Sequence, residues 1–198
     1  VNHHLLFSDL SVRRAQGNYT APAVLPPYRR VILDEAHNIE DAATSHLGAT
    51  ISRRGVFRAL GRVEGRGKGL LRAVEDKLRS GGTDLLQQNA LRIINAELRP
   101  VIDRARAEAG ELFSRLEQLT ARAPDGVLRI TEELIADDAW RSLIEPQYQN
   151  LSTQLEDIAR KLQKLREVVM VDTRWRDSLA EQLVVLAGAS NRIRGQCD

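Results

Sequence analysis

Two adjacent carboxylates, Asp34 and Glu35, stand where a short apolar run, Val31-Ile32-Leu33, comes to an end. Ala36 and His37 follow, and then a polar segment, Asn38-Ile39-Glu40-Asp41, suited to opening a helix. A continuous apolar run of this kind reads as a strand buried on both faces. Carboxylates just past the C-terminal end of such a strand sit where open α/β sheets hold their ligands. Neighbours in an extended chain point in different directions. One acid can therefore hold a metal ion while the other faces a reacting water. Nucleotide hydrolysis needs that division of labour: a strand-end Asp for magnesium and a group that positions the attacking water.

The elements that must position these acids are legible on either side. Residues 2–14 place Leu6 and Leu10 on one face of a short helix, with Asn2 as its cap. Residues 15–29 carry Gly17, Asn18, Pro22, Pro26 and Pro27 and read as a loop. Residues 30–34 are the expected strand, flanked by Arg29 and Arg30, and residues 36–47 the expected helix after it. Ile39, Ala42, Ala43 and His46 or Leu47 recur there at helical steps. A zinc site is rejected: His37 and His46 are nine residues apart, which is not the H-E-x-x-H spacing.

Asp34-Glu35-Ala36-His37 spells the DEAH form of the Walker B motif of superfamily 2 helicases. With Asn2-His3-His4-Leu5-Leu6 upstream and Asn38-Ile39 downstream, residues 2–47 resemble the iron–sulfur DNA helicases of the DinG/XPD family. In that family an N-H-x-L-L segment lies shortly before the DEAH box, and a long helical insertion, the arch, follows it. The resemblance implies a partial RecA-like motor segment over residues 1–47 and a helical arch domain over 48–198. It implies an ATP-dependent helicase moving 5′ to 3′ on single-stranded DNA, with a role in DNA repair. Carried over, Asp34 holds magnesium on the ATP phosphates, Glu35 orients or deprotonates the attacking water, and His37 couples hydrolysis to DNA-dependent closure. Asn2 and His3 are then candidates for contact near the DNA path, or simply polar residues at a helix start.

Other family features are missing from this chain. There is no G-x-x-x-x-G-K-[ST] loop to cradle phosphates. The single cysteine, Cys197, cannot by itself ligate a four-iron–four-sulfur cluster, whose ligands in the family lie upstream of the N-H-x-L-L segment. The reading is therefore a piece of a larger, cytoplasmic enzyme, inactive alone, with no membrane span. A lone strand with open edges is also expected to invite self-association.

The remaining residues read as helices. The chain as a whole is 28% charged, 42% hydrophobic and only 4% aromatic, which suits long helices built on Leu, Ala, Ile and Val. Ser52 can cap a helix carrying Ile51, Val56, Leu60 and Val63 on or near one side, together with Arg53, Arg54, Arg58 and Arg62. Gly65-Arg66-Gly67-Lys68-Gly69 follows as a flexible basic turn, since no strand precedes it and no Lys-Ser/Thr pair ends it. Its cations lie along a DNA backbone or are merely solvated. Leu70, Leu71, Val74 and Leu78 mark the next helix, ended by Ser80-Gly81-Gly82. From Thr83 onward a near-heptad seam runs from Leu91 to Leu119, with a kink or restart expected at Pro100.

Val127 to Thr131 reads as a short strand or extended segment, and residues 132–145 as a short helix before a break at Pro146. Leu151, Leu155, Ile158, Leu162, Leu165 and Val169 form a second seam, the natural antiparallel partner of the first. Two paired helices of about 30 residues would project roughly 45 Å. Asp172 or Thr173 caps a last helix with Trp175, Leu179, Leu183, Leu186 and Ile193 inward. The expected class is thus mainly α, a long helical hairpin or bundle joined to a short α/β remnant.

The net charge of +2 is too small to argue nucleic-acid binding from charge alone. A rival reading is a helical module that docks protein regulators and never touches nucleic acid. The acids Glu64, Glu75 and Asp76 separate the two: if they neutralise the arginine face, the module reading gains; if they do not, DNA contact gains.

Overall fold

The computed structural model describes residues 2–47, 51–65, 67–80, 84–123 and 125–194, with side chains through residue 190. Contacts divide the chain into two units, Val1–Thr50 and Ile51–Asp198. The chain is mainly helical, and no strand occurs among the described residues. No described helix is long and apolar enough to cross a membrane.

In the first unit, helix α1 spans His3–Gln16 and α2 spans Ile39–Leu47. Asn2 caps α1 by accepting the His4 N–H at 2.9 Å. Gly17 ends it in the left-handed region (φ 65°), where a side chain is strained. The two helices pack on each other through buried Leu6 and Ala42. The expected strand over residues 30–34 is not formed. Those residues are unpaired, and Ile32 is 86% exposed. The physical reason is that a strand is defined by its ladder partner. The β-type pairing described is a single bridge between Gly65 and Lys68, in the other unit.

The second unit is a helical bundle around one continuous core. Helix α3 (Arg53–Val63) buries Val56, Leu60 and Val63 of its expected stripe, while Ile51 precedes the helix and is 44% exposed; α4 (Leu70–Ser80) buries Leu70, Leu71, Val74 and Leu78 as expected. The turn between them closes when the Gly65 N–H donates to the Lys68 carbonyl at 2.7 Å. Gly69 there has φ 138°, and a Cβ on it would lie 2.8 Å from the Gly65 nitrogen, so no other residue fits. Helix α5 (Leu85–Arg92) is capped by Asp84, which accepts the Gln87 N–H at 2.7 Å. The expected end at Gly81-Gly82 and start at Thr83 lie outside the described residues.

Helix α6 (Arg99–Thr120) continues α5 through a widened turn over Ile93–Leu98, in which the Arg99 N–H reaches back five residues to the Ile94 carbonyl. The same device recurs downstream. A short helix α7 (Glu132–Ala136) stops at Asp137, which is extended, and the widened turn Trp140–Ile144 leads into α8 (Glu145–Met170). There the Glu145 N–H reaches the Trp140 carbonyl. Each widened turn is followed at once by a proline, Pro100 or Pro146. A proline ring crowds the carbonyl four residues back and offers no N–H. Widening the preceding turn relieves that crowding without breaking the rod. In each case a polar side chain takes up a carbonyl four residues before it: Asn95 donates to Leu91 at 2.9 Å, and Ser142 donates to Asp138 at 2.6 Å.

Helix α8 is the centre of the bundle, packed against α6 on one side and α10 (Ala180–Arg194) on another. Its six expected seam residues, Leu151, Leu155, Ile158, Leu162, Leu165 and Val169, are all buried. Each such side chain contributes about 1.5–3 kcal/mol. Asp172 caps α9 (Thr173–Ser178), and Trp175, Leu179, Leu183 and Leu186 turn inward as expected. The side chain of Ile193 lies outside the described residues. Residues 127–131 are extended and form no strand.

One buried carboxylate locks the bundle. Glu75 of α4 accepts from Arg79 at 2.6 Å and from Arg99 at 2.8 Å. Burial pushes the Glu75 carboxyl up, but hydrogen bonds from Arg99 and Arg79 outweigh it and hold the group below its ordinary range. A lowered folded value means that the stabilisation is complete above the ordinary glutamate pKa of about 4.3 and disappears as pH falls through the lower, folded value. Glu75→Gln is therefore expected to lose about 1.5–3 kcal/mol at pH 7 and to show a shallower loss of stability than the parent below pH about 4.3. Urea unfolding at pH 7 and again under acid conditions checks both; parallel profiles would remove Glu75 from the acid response.

Candidate functional site

The acidic pair lies at the start of α2. Glu35 is in the left-handed region (φ 50°, ψ 51°), the one non-glycine residue with positive φ among the described residues. Its N–H donates to Asp34 Oδ1 at 3.0 Å, and its carbonyl accepts the Asn38 N–H at 3.0 Å. Residues Ala36–Asn38 form one tight helical turn that runs directly into α2. A non-glycine residue held at positive φ costs on the order of 1–3 kcal/mol, and such strain concentrates at functional positions. His37 Nδ1 lies 3.3 Å from Glu35 Oε2, with both side chains about 70% exposed. No Lys or Arg pairs with Asp34 or Glu35 among the described residues, so the carboxylates stand open to solvent.

A further set of contacts, for which the sequence offers little signal, ties α1 to the 18–28 loop and to α2. Asp9 and Arg13 are fully or almost fully buried and form an ion pair at 2.6 Å. Asp9 also accepts the Leu25 N–H at 2.8 Å and the Tyr28 hydroxyl at 3.1 Å. Arg13 donates to the carbonyls of Tyr19 and Leu25, and its guanidinium lies 5.0 Å from the Tyr28 ring centre. Burial works to raise the Asp9 carboxyl, but the Leu25 N–H, Arg13 and Tyr28 outweigh it and keep the group below the usual carboxylate range. Between the helices, His4 Nδ1 and His46 Nε2 are 3.1 Å apart, and Ser8 Oγ lies 3.4 Å from His46 Nδ1. The spacing of Asp9 and Arg13, one helical turn apart, is the available signal for the first group. Nothing in the sequence signals the second. Of the candidates near this site, Asn2 is occupied as the α1 cap, and His3 is half-buried.

The basic candidates lie in the second unit. Arg54, Arg58 and Arg62 follow one another every four residues along α3, and all three are exposed. Arg53 lies over the Phe57 ring at 5.8 Å. Lys68 is exposed in the glycine-rich turn, and Arg66 is outside the described residues. The three acids that could have neutralised this face are engaged elsewhere. Glu64 pairs with Arg99, Glu75 with Arg79 and Arg99, and Asp76 with Arg72. No described acid forms an ion pair with Arg53, Arg54, Arg58, Arg62 or Lys68.

Among the described residues no three His, Cys, Asp or Glu side chains converge in a way that could hold a metal ion unaided. Magnesium, however, is bound through one or two carboxylates with the rest of its shell from water and substrate phosphates. Asp34 and Glu35, exposed and unclaimed by any Lys or Arg, fit that partial role. Compared with protein-family models, with curated proteins and with solved structures, the chain matches none.

Proposed function

We propose that this chain is part of an ATP-dependent DNA helicase of the iron–sulfur DinG/XPD type, translocating 5′ to 3′, with residues 1–47 from the motor and the helical unit as its arch. The observation that carries the reading is the Asp34-Glu35-Ala36-His37 box at the mouth of α2, its two carboxylates solvent-facing and free of Lys or Arg partners. Asp34 would hold magnesium, which supplies neutralising charge to the nucleotide phosphates. Glu35 would orient or deprotonate the attacking water. His37, in contact with Glu35, gives a direct route by which movement of α2 shifts that carboxylate. The phosphate-cradling loop and any cluster ligands would come from other segments.

The arch assignment is supported by cross-links that tie the two seam helices at opposite ends. Lys164, late in α8, pairs with Glu97, just before α6, at 3.1 Å. Arg115, late in α6, donates to the carbonyl of Leu143, just before α8, at 3.2 Å. This pattern supports an antiparallel pairing of the two. DNA contact is supported by the diversion of Glu64, Glu75 and Asp76 away from the α3 arginines. Replacing Arg54, Arg58 and Arg62 together by Gln is expected to flatten the salt dependence of single-stranded DNA binding. The slope of log K against log salt should fall by roughly 2, about 0.7 for each phosphate that an arginine no longer neutralises. Fluorescence anisotropy with a labelled oligonucleotide across a salt series measures it. An unchanged slope would favour the rival, a helical module that binds protein regulators alone.

A further inference from the structure

A groove of about 420 Å³ lies between the C-terminal half of α6, the segment around α7 and the start of α8. Its walls are almost wholly apolar: Leu112, Phe113 and Leu116 on one side, Ile135, Trp140 and Tyr148 on the other. Ile130 and Ile135, in its lining, are 59% and 46% exposed, and Val127, outside the lining, is 75% exposed. Contiguous exposed apolar surface rimmed by polar residues marks an interaction site.

The rim says what kind of partner fits. Residues 125–149 contain six acidic residues and two basic ones, in a chain whose net charge is +2. Glu132, Glu133, Asp137, Asp138 and Glu145 are all exposed, and none forms an ion pair among the described residues. Glu145 itself lines the groove. An apolar trough with an acidic border is complementary to a helix with large apolar residues on one face and Lys or Arg on its flanks. Nucleic acid and anionic membrane carry the charge that this rim repels. A second copy does not offer the matching element either: the chain's own arginine-rich helix, α3, keeps Val56, Leu60 and Val63 in the core.

We propose that this groove binds a basic amphipathic helix of a partner protein. This goes beyond the helicase reading, because it concerns a separate surface and holds whether or not the acidic box hydrolyses nucleotide.

The probe is a labelled synthetic peptide of leucine and lysine with leucines at helical spacing, set against a leucine–glutamate peptide of the same pattern. The basic peptide is expected to bind at least about tenfold more tightly, and added salt should weaken it. Non-specific attraction would favour the acidic peptide instead, because the chain as a whole is positive. Ile135→Asp, at an exposed position, should lower affinity for the basic peptide by about tenfold or more while leaving the circular dichroism spectrum unchanged. The double variant Glu132→Lys, Glu133→Lys should shift preference toward the acidic peptide. Equal binding of the two peptides, no binding, or indifference to Ile135→Asp would overturn the proposal. So would Ile135-dependent dimerisation by sedimentation, or Ile135-dependent binding of single-stranded DNA or of phosphatidylserine vesicles, since each would give the groove to another occupant.

Discussion

Leu162→Ala is expected to destabilise the helical unit by about 3–5 kcal/mol, the upper part of the range for a buried leucine cut back to alanine. Leu162 is fully buried about two-thirds of the way along α8, the helix that packs against both α6 and α10. A cavity there opens among residues of three rods that cannot all move in to fill it. Since domains are stable by only about 5–15 kcal/mol, this one truncation would consume much of the margin. The comparison that gives the number meaning is Ile32→Ala. Ile32 is apolar but 86% exposed, so its truncation is expected to stay within about 0.5 kcal/mol. Guanidinium unfolding of both variants, followed by helical signal, makes the measurement. A cost below about 1 kcal/mol at Leu162, well under the range for a well-packed site, would move the centre of the bundle away from α8.

Glu35→Gln carries the largest functional effect. On the proposed helicase reading, in the protein that supplies the phosphate-binding loop, the substitution is expected to slow ATP hydrolysis by about 10²–10⁴-fold, the contribution of a positioned general base. Nucleotide binding should persist, because the phosphates and magnesium are held by other groups. Glutamine keeps the size of the side chain and its reach to His37 while removing the charge, so folding of the first unit should be unaffected. Steady-state turnover together with equilibrium binding of a fluorescent nucleotide separates the two quantities. Undiminished turnover would take Glu35 out of the mechanism. A parallel loss of binding and turnover would give it a merely structural part.

The helices are legible because each carries its own evidence. The α8 seam repeats at steps of three and four, and burial follows from that repeat alone. Ser52, Asp84 and Asp172 cap helices because a short acceptor side chain before a helical run satisfies its first free N–H groups. The sequence pattern places the start of the next stretch at Thr83, whereas the cap of α5 is the following residue, Asp84.

What fails to show in the sequence depends on partners distant along the chain. Val31-Ile32-Leu33 has the composition of a buried strand, yet composition cannot supply the neighbouring strand that would make it one. Pro100 and Pro146 announce a disturbance, but not that the helix absorbs it by widening the turn before each ring. The Asp9–Arg13 pair is visible as a spacing. Its closure by Leu25 and Tyr28 depends on how the proline-rich loop folds back onto α1. The groove joins Leu112 and Phe113 to Trp140 and Tyr148 across a turn, and no local pattern relates them.

The widened turn ahead of Pro100 has a consequence for how the bundle is apportioned. Before it, α5 packs with α4; after it, α6 packs with α3, while α8 accompanies both stretches. An extra residue in a turn rotates everything beyond it about the helix axis, so a single continuous rod shows different flanks to its neighbours along its length. The arginine-bearing helix meets the rod beyond the widened turn, whereas the helix that carries Glu75 meets it on both sides, through α5 and through Arg99 at the start of α6.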